Sequence, residues 1–206
     1  MLKLIVGLGA VAVTVAFIVS GVVFAQSNEP VPGDYLNSTQ LSDFNSLRAD
    51  VKAGLEQGFL PDLASKTDLT EEFKKQFFAA VVEAEKNAPA PGSSHFHAKD
   101  QTHEHFHCSE LPNISFSVGS TVGAFSSASC QQTIRSFTSS VQIFGGPTKY
   151  AYDSRNYRFA TYASSWVYAD YSADTEYKYC GTFTAVVLDL PAPRPSKANT
   201  CGWYYT

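Results

Sequence analysis

The chain has 206 residues, 44% of them apolar and 17% charged, enough for one buried core with an appendage and too apolar for wholesale disorder. Its net charge of −4 is unevenly spread: Gln26 to Glu110 holds 14 acids against 7 Lys or Arg, and Leu111 to Thr206 holds 5 against 7. No basic stripe is present, so nucleic acid is excluded as an expected partner.

Residues 1–25 read as a targeting segment. Lys3 is the only charge, and Leu4 to Ala25 is apolar apart from Thr14 and Ser20. The run is long enough to span a bilayer, and it ends in Val23-Phe24-Ala25, where a signal peptidase would cut. A cleaved signal peptide and a retained single-span anchor both place Gln26 onward outside the cytoplasm. Membrane is a partner only in the second case.

Residues 26–88 read as a helical hairpin arm. After a polar spacer from Gln26 to Asn37, Leu41, Phe44, Leu47, Val51 and Leu55 recur at steps of three and four, and Gly58 supplies a stop. Phe59 to Thr67, with Pro61, is a connector. A second helix is expected from Asp68, with Glu71 as its capping partner. Its apolar face is Leu69, Phe73, Phe77, Ala80, Val81 and Ala84, and Pro89-Ala90-Pro91-Gly92 ends it. The simplest partner for these faces is the hairpin itself; the β domain and another protein are the alternatives.

Residues 89–112 form a Pro/His-rich connector holding every histidine of the chain: His95, His97, His103, His105 and His107. In an extended segment the last three share one face, and neutral imidazoles suit Zn(II), Cu(II) or Ni(II). The competing reading is a solvated linker with loose metal affinity. His103-Glu104-His105-Phe106-His107 also satisfies H-E-x-x-H, in which two histidines one helical turn apart hold zinc and the glutamate activates water. That motif requires a helix, and no apolar periodicity surrounds it here. No G-x-S-x-G or P-loop is present, so the expectation is a protein without catalytic residues.

From residue 113 to 206 the period changes to two. Ile114, Phe116 and Val118 alternate with Ser115, Ser117 and Gly119. Further strands are expected at 132–137, 140–144, 149–152, 157–163, 165–171, 176–180 and 182–190. Turns are expected at Gly145-Gly146-Pro147 and Asp153-Ser154-Arg155-Asn156. The tail reads as an extended piece pinned back through Cys201. Tyr162, Trp166 and Tyr168 share strand parity, as do Tyr177 and Tyr179. Such a row fits core or a protein interface better than a carbohydrate platform. Cys108, Cys130, Cys180 and Cys201 suggest two disulfides in one of three connectivities, with Cys108 as a thiolate metal ligand the competing role. Asn37-Ser38-Thr39 and Asn113-Ile114-Ser115 are glycosylation sequons if the source is eukaryotic.

The resulting expectation is an α+β protein: an apolar N-terminal targeting or anchor helix, a helical hairpin, a His-rich connector, and an antiparallel β-sandwich or barrel with disulfides. Its expected role is extracytoplasmic binding or assembly, secreted or membrane-tethered, with a protein partner or self-association. The alternatives are a zinc metallopeptidase using Glu104 and a carbohydrate-binding β module.

Overall fold

A computed structural model describes residues 29–91, 108–110, 114–145, 148–171, 175–186 and 196–205. Two of the described helices begin at side-chain caps. Asn37 Oδ1 accepts the Gln40 N–H at 3.0 Å while Gln40 Oε1 accepts the Asn37 N–H at 3.0 Å, which starts α1 (Ser38–Ser46). Leu47 is extended and breaks the helix before α2 (Ala49–Gly54), which runs through one π-helical stretch (Leu55–Phe59) into α3 (Leu60–Ser65). The stop expected at Gly58 is therefore absent. A helical glycine costs about 1 kcal/mol, whereas Leu55, Phe59, Leu60 and Leu63 are all buried, each contributing about 1.5–3 kcal/mol. Pro61 follows the point where the ladder has already shifted to i−5, from Leu60 N–H to Leu55 O.

Helix α4 (Glu71–Lys86) starts from Thr70, whose Oγ1 accepts the Phe73 N–H at 3.1 Å. Asp68, the expected cap, instead accepts the Tyr168 hydroxyl at 2.8 and 3.1 Å.

The six strands among the described residues belong to one antiparallel sheet: β1 (Cys108–Glu110), β2 (Ile114–Val118), β3 (Thr121–Gly145), β4 (Thr148–Asp170), β5 (Glu176–Val186) and β6 (Ser196–Tyr205). β3 and β4 form a long hairpin whose last pair is Gly145↔Thr148; Gly146 and Pro147 of the expected turn lie outside the described residues. On the other edge of β3, β2 and β1 pair with its first half and β5 with its second, and β6 extends the sheet from β5. The expected strand pieces merge, and the expected turn at Asp153–Asn156 lies inside β4, paired with Thr138–Val141. Tertiary bonds hold it extended: Asn156 Nδ2 donates to Ser136 Oγ at 2.8 Å and Thr138 Oγ1 at 2.7 Å, and Arg155 reaches Asp62 on α3.

The hairpin is bent. Between the pairs Ser129↔Tyr162 and Ile134↔Ala160, the β3 residues Cys130–Thr133 stand opposite Thr161 alone, and nearby Phe159 has φ 53°. The bend curls the sheet so that its two halves face each other, as a half-barrel. Val122, Ala124 and Val167 of one limb pack on Val141, Ile143 and Tyr177 of the other, and Ser139 and Ser165 share a buried 2.8 Å hydrogen bond. Small residues in β3 (Gly123, Ala124, Ser126, Ser127, Ala128) permit this, since the first half of the strand is covered on both faces.

The helices cover the outer face of the first limb. Phe44, Leu55, Phe59, Phe73, Phe77 and Val81 form one core with Phe125, Tyr162 and Trp166, and Ile114, Phe116 and Val118 pack against it. Phe59 lies edge-on to both Phe125 and Trp166, with centroids 5.2 and 5.5 Å away. The arm's apolar faces thus meet the sheet as well as each other.

Two disulfides, Cys108–Cys130 and Cys180–Cys201, join directly opposed residues of β1/β3 and β5/β6. They settle the connectivity, place Cys108 in a disulfide rather than a thiolate site, and pin the tail as expected. Such bridges persist in oxidising compartments, so they point to an extracytoplasmic environment. Among the described residues no helix is long and apolar enough to cross a membrane; the apolar segment 1–25 lies outside them.

Candidate functional site

The expected metal ligands His95, His97, His103, His105 and His107, with Glu104, lie outside the described residues. Their flanks are defined. On one side Ala90 O accepts from Ser109 Oγ at 2.8 Å, and Pro91 O accepts from Gln131 Nε2 at 2.7 Å. On the other, His107 is followed directly by Cys108, buried in β1 and bridged to Cys130. Among the described residues no group of three or more His, Cys, Asp or Glu is placed to hold a metal ion.

Two polar constellations occupy the described part. The first lies under the helices. Glu85, in the last turn of α4, is buried against the sheet, and its Oε1 accepts from Ser127 Oγ at 2.6 Å and Tyr162 OH at 2.7 Å. Its Oε2 is buried without a hydrogen-bond partner. Burial pushes the carboxyl up to about 7 against those two hydrogen bonds, with Asp50 adding to the rise and Arg48 opposing it. Asp50 is itself held by Arg48 at 2.6 Å and Thr161 Oγ1 at 3.0 Å. The sequence signal was present: Phe73, Phe77, Val81 and Glu85 recur every four residues, so a carboxyl stands on the buried stripe.

The second constellation is an open cleft of about 300 Å³ where α3 meets both limbs of β4. The bend brings 151–155 and 166–168 of that strand to one place. Asp62 of α3 organises it, with Oδ2 accepting from Arg155 and from Trp166 Nε1 at 2.8 Å, and Oδ1 accepting from Lys66 at 3.1 Å. Arg155 also donates from Nε to Asp153 at 2.6 Å. Burial opposes ionisation of Asp62, but the bonds from Arg155, Lys66 and Trp166 outweigh it and hold its carboxyl below the usual range. Tyr168 lies flat on Trp166 with centroids 5.6 Å apart, and Lys66 Nζ sits 5.8 Å from the Trp166 ring centroid. Burial and the bond to Asp68 push the Tyr168 hydroxyl up to about 12. Sequence reasoning missed Asp62, Lys66, Asp153 and Arg155, because it placed them in a connector and a turn. Of the aromatic row, Tyr162 and Trp166 are core and Tyr168 is half-buried at the cleft.

No known protein family matches the chain, and no curated protein matches it. Among solved structures it is similar to CsgH of R. palustris at 12% identity over 45% of this chain and 87% of that one, with a TM-score of 0.28. A putative β-galactosidase from Bacteroides fragilis gives 9% identity over 45% of this chain and 17% of that one, at 0.31. Wild-type OgpA from Akkermansia muciniphila gives 13% over 80% of this chain and 43% of that one, at 0.27. These values lie below those that define a shared fold.

Proposed function

We propose that this is a non-catalytic extracytoplasmic binding or assembly protein, secreted or held by its apolar N-terminal segment, whose histidine segment takes a divalent metal ion. The observation that best supports this is the closure of the segment's ends. Ala90 and Pro91 are hydrogen-bonded to Ser109 and Gln131, next to the Cys108–Cys130 bridge, so the two described flanks of the histidine segment are held at one place. Folding has already met the entropic cost of closing that loop, which lowers the cost of gathering its imidazoles on one ion.

Titration calorimetry with Zn(II) and Cu(II) on the full chain tests this. His105→Ala should lose more affinity than His95→Ala/His97→Ala, because the alternating triplet His103, His105 and His107 chelates from one short stretch. Affinity should fall between pH 7 and 5 as protons compete for imidazoles of pKa about 6.5. Binding of both metals weaker than about 10 μM, or −7 kcal/mol, would leave the solvated-linker reading. Zinc-dependent proteolysis of casein that Glu104→Gln abolishes would establish the metallopeptidase instead.

A further inference from the structure

We propose that the cleft between α3 and the two limbs of β4 binds a short neutral saccharide. The site stands apart from the histidine segment and does not depend on that segment holding metal.

Placement is the first argument. The cleft lies where α3 meets two separate stretches of β4, a strand paired only with β3 among the described residues, and clefts between packed elements are common ligand sites. Its volume of about 300 Å³ is at the lower end of the range for small-molecule pockets. Its walls come from segments far apart in sequence, so the folded state holds them without a ligand. Arg155 reaches Asp62 across 93 residues and Trp166 reaches it across 104.

Charge selects the ligand class. The two cations lining the cleft, Lys66 and Arg155, are each bonded to a lining carboxylate, Asp62 or Asp153. Two positive charges against two negative ones leave no excess to attract an anion. Asp68, bonded to the Tyr168 hydroxyl at the rim, disfavours one further. A metal ion is disfavoured because Arg155 lies between the carboxylates, bonded to both. What remains is a compact array of acceptors and donors within one small space. Adjacent hydroxyls of a sugar ring match such an array, since each hydroxyl both donates to a carboxylate and accepts from a guanidinium or ammonium.

The aromatic groups complete the match. Tyr168, stacked on the buried Trp166, offers a ring in fixed orientation, and Tyr152 lines the cleft while 52% exposed. Rings of this kind can cover the C–H face of a pyranose, with the Tyr168 hydroxyl held by Asp68.

The test is ¹H–¹⁵N NMR titration of the full chain with glucose-, galactose- and N-acetylglucosamine-based trisaccharides, following the Trp166 indole N–H beside Asp62. At least one sugar should shift that resonance saturably. Tyr152→Ala should weaken its binding about tenfold, and Asp153→Asn, which keeps the shape of the side chain, should weaken it as well. Both variants should retain the wild-type pattern elsewhere, because Tyr152 is 52% exposed and asparagine keeps an oxygen to accept from Arg155 Nε. No shift with any of the three up to about 10 mM overturns the proposal. A shift produced by inorganic phosphate and not by the sugars overturns it too, and makes the cleft an anion site. Binding that survives both substitutions unchanged places the sugar elsewhere.

Discussion

Glu85 is where a single side chain makes the fold sensitive to pH. Its Oε1 accepts from Ser127 and Tyr162, and its Oε2 is buried without a hydrogen-bond partner. An anion there is costly. An ordinary carboxyl ionises near 4.5, whereas this one is pushed up to about 7 by burial. Below 4.5 the folded and unfolded chains both carry the proton and no penalty exists. As pH rises from 4.5 to 7 the unfolded chain releases it first, so stability falls, and above 7 the full penalty of roughly 3 kcal/mol is in place. Glu85→Gln keeps an acceptor for Ser127 and Tyr162 and cannot ionise. Urea denaturation at pH 5 and pH 8 should show the variant losing much less stability across that interval than wild type. Equal losses in the two proteins would remove Glu85 from this role.

Between elements, the seating of α4 on β3 depends on a missing side chain. A methyl group on Gly123 would lie 2.9 Å from Phe73 Cζ and 3.0 Å from Phe77 Cζ, both in fully buried rings. Gly123→Ala should therefore destabilise the protein by about 1–3 kcal/mol through overpacking. Gly58 provides the contrast: it is helical and nothing lies within 4 Å of an added methyl group. Gly58→Ala should be neutral or stabilise by up to about 1 kcal/mol. Thermal denaturation of the two variants in one buffer reads the difference, and similar shifts in both would contradict the packing described for α4.

Across the protein, the two disulfides tie β1 and β6 to the strands they pair with. β1 is three residues long and is tied to β3 by Cys108–Cys130; β6 extends the sheet from β5 and is tied by Cys180–Cys201. The bridges close sequence separations of 22 and 21 residues, which corresponds to about 3 kcal/mol each. Intact mass of native protein should fall four hydrogens below that of the reduced form. Cys180→Ala/Cys201→Ala should lower stability by about that amount and free β6 to amide exchange while the helical core stays protected. Four free thiols in native protein would overturn the extracytoplasmic reading.

Much of this architecture was legible in local pattern. The apolar stripes of the helices and the change of period near residue 113 depend on residues within a few positions of one another, and the even cysteine count called for two disulfides without fixing which cysteines pair. The histidine segment, also read from local pattern, lies outside the described residues. What local pattern could not supply is contact between distant residues. Asp153–Asn156 has the composition of a turn, yet it runs as strand because β3 pairs with it and Asp62 holds Arg155. Gly58 has the chemistry of a stop, yet the helix continues because Phe59 and Leu60 bury themselves against the sheet. The bend opposite Cys130–Thr133 folds two long strands over each other and gathers α3 and both limbs of β4 into one cleft. Chain propensity acts over a few residues, whereas bend, register and cleft are fixed by burial and pairing free energies between residues up to about a hundred positions apart, and those exist only once the chain has folded.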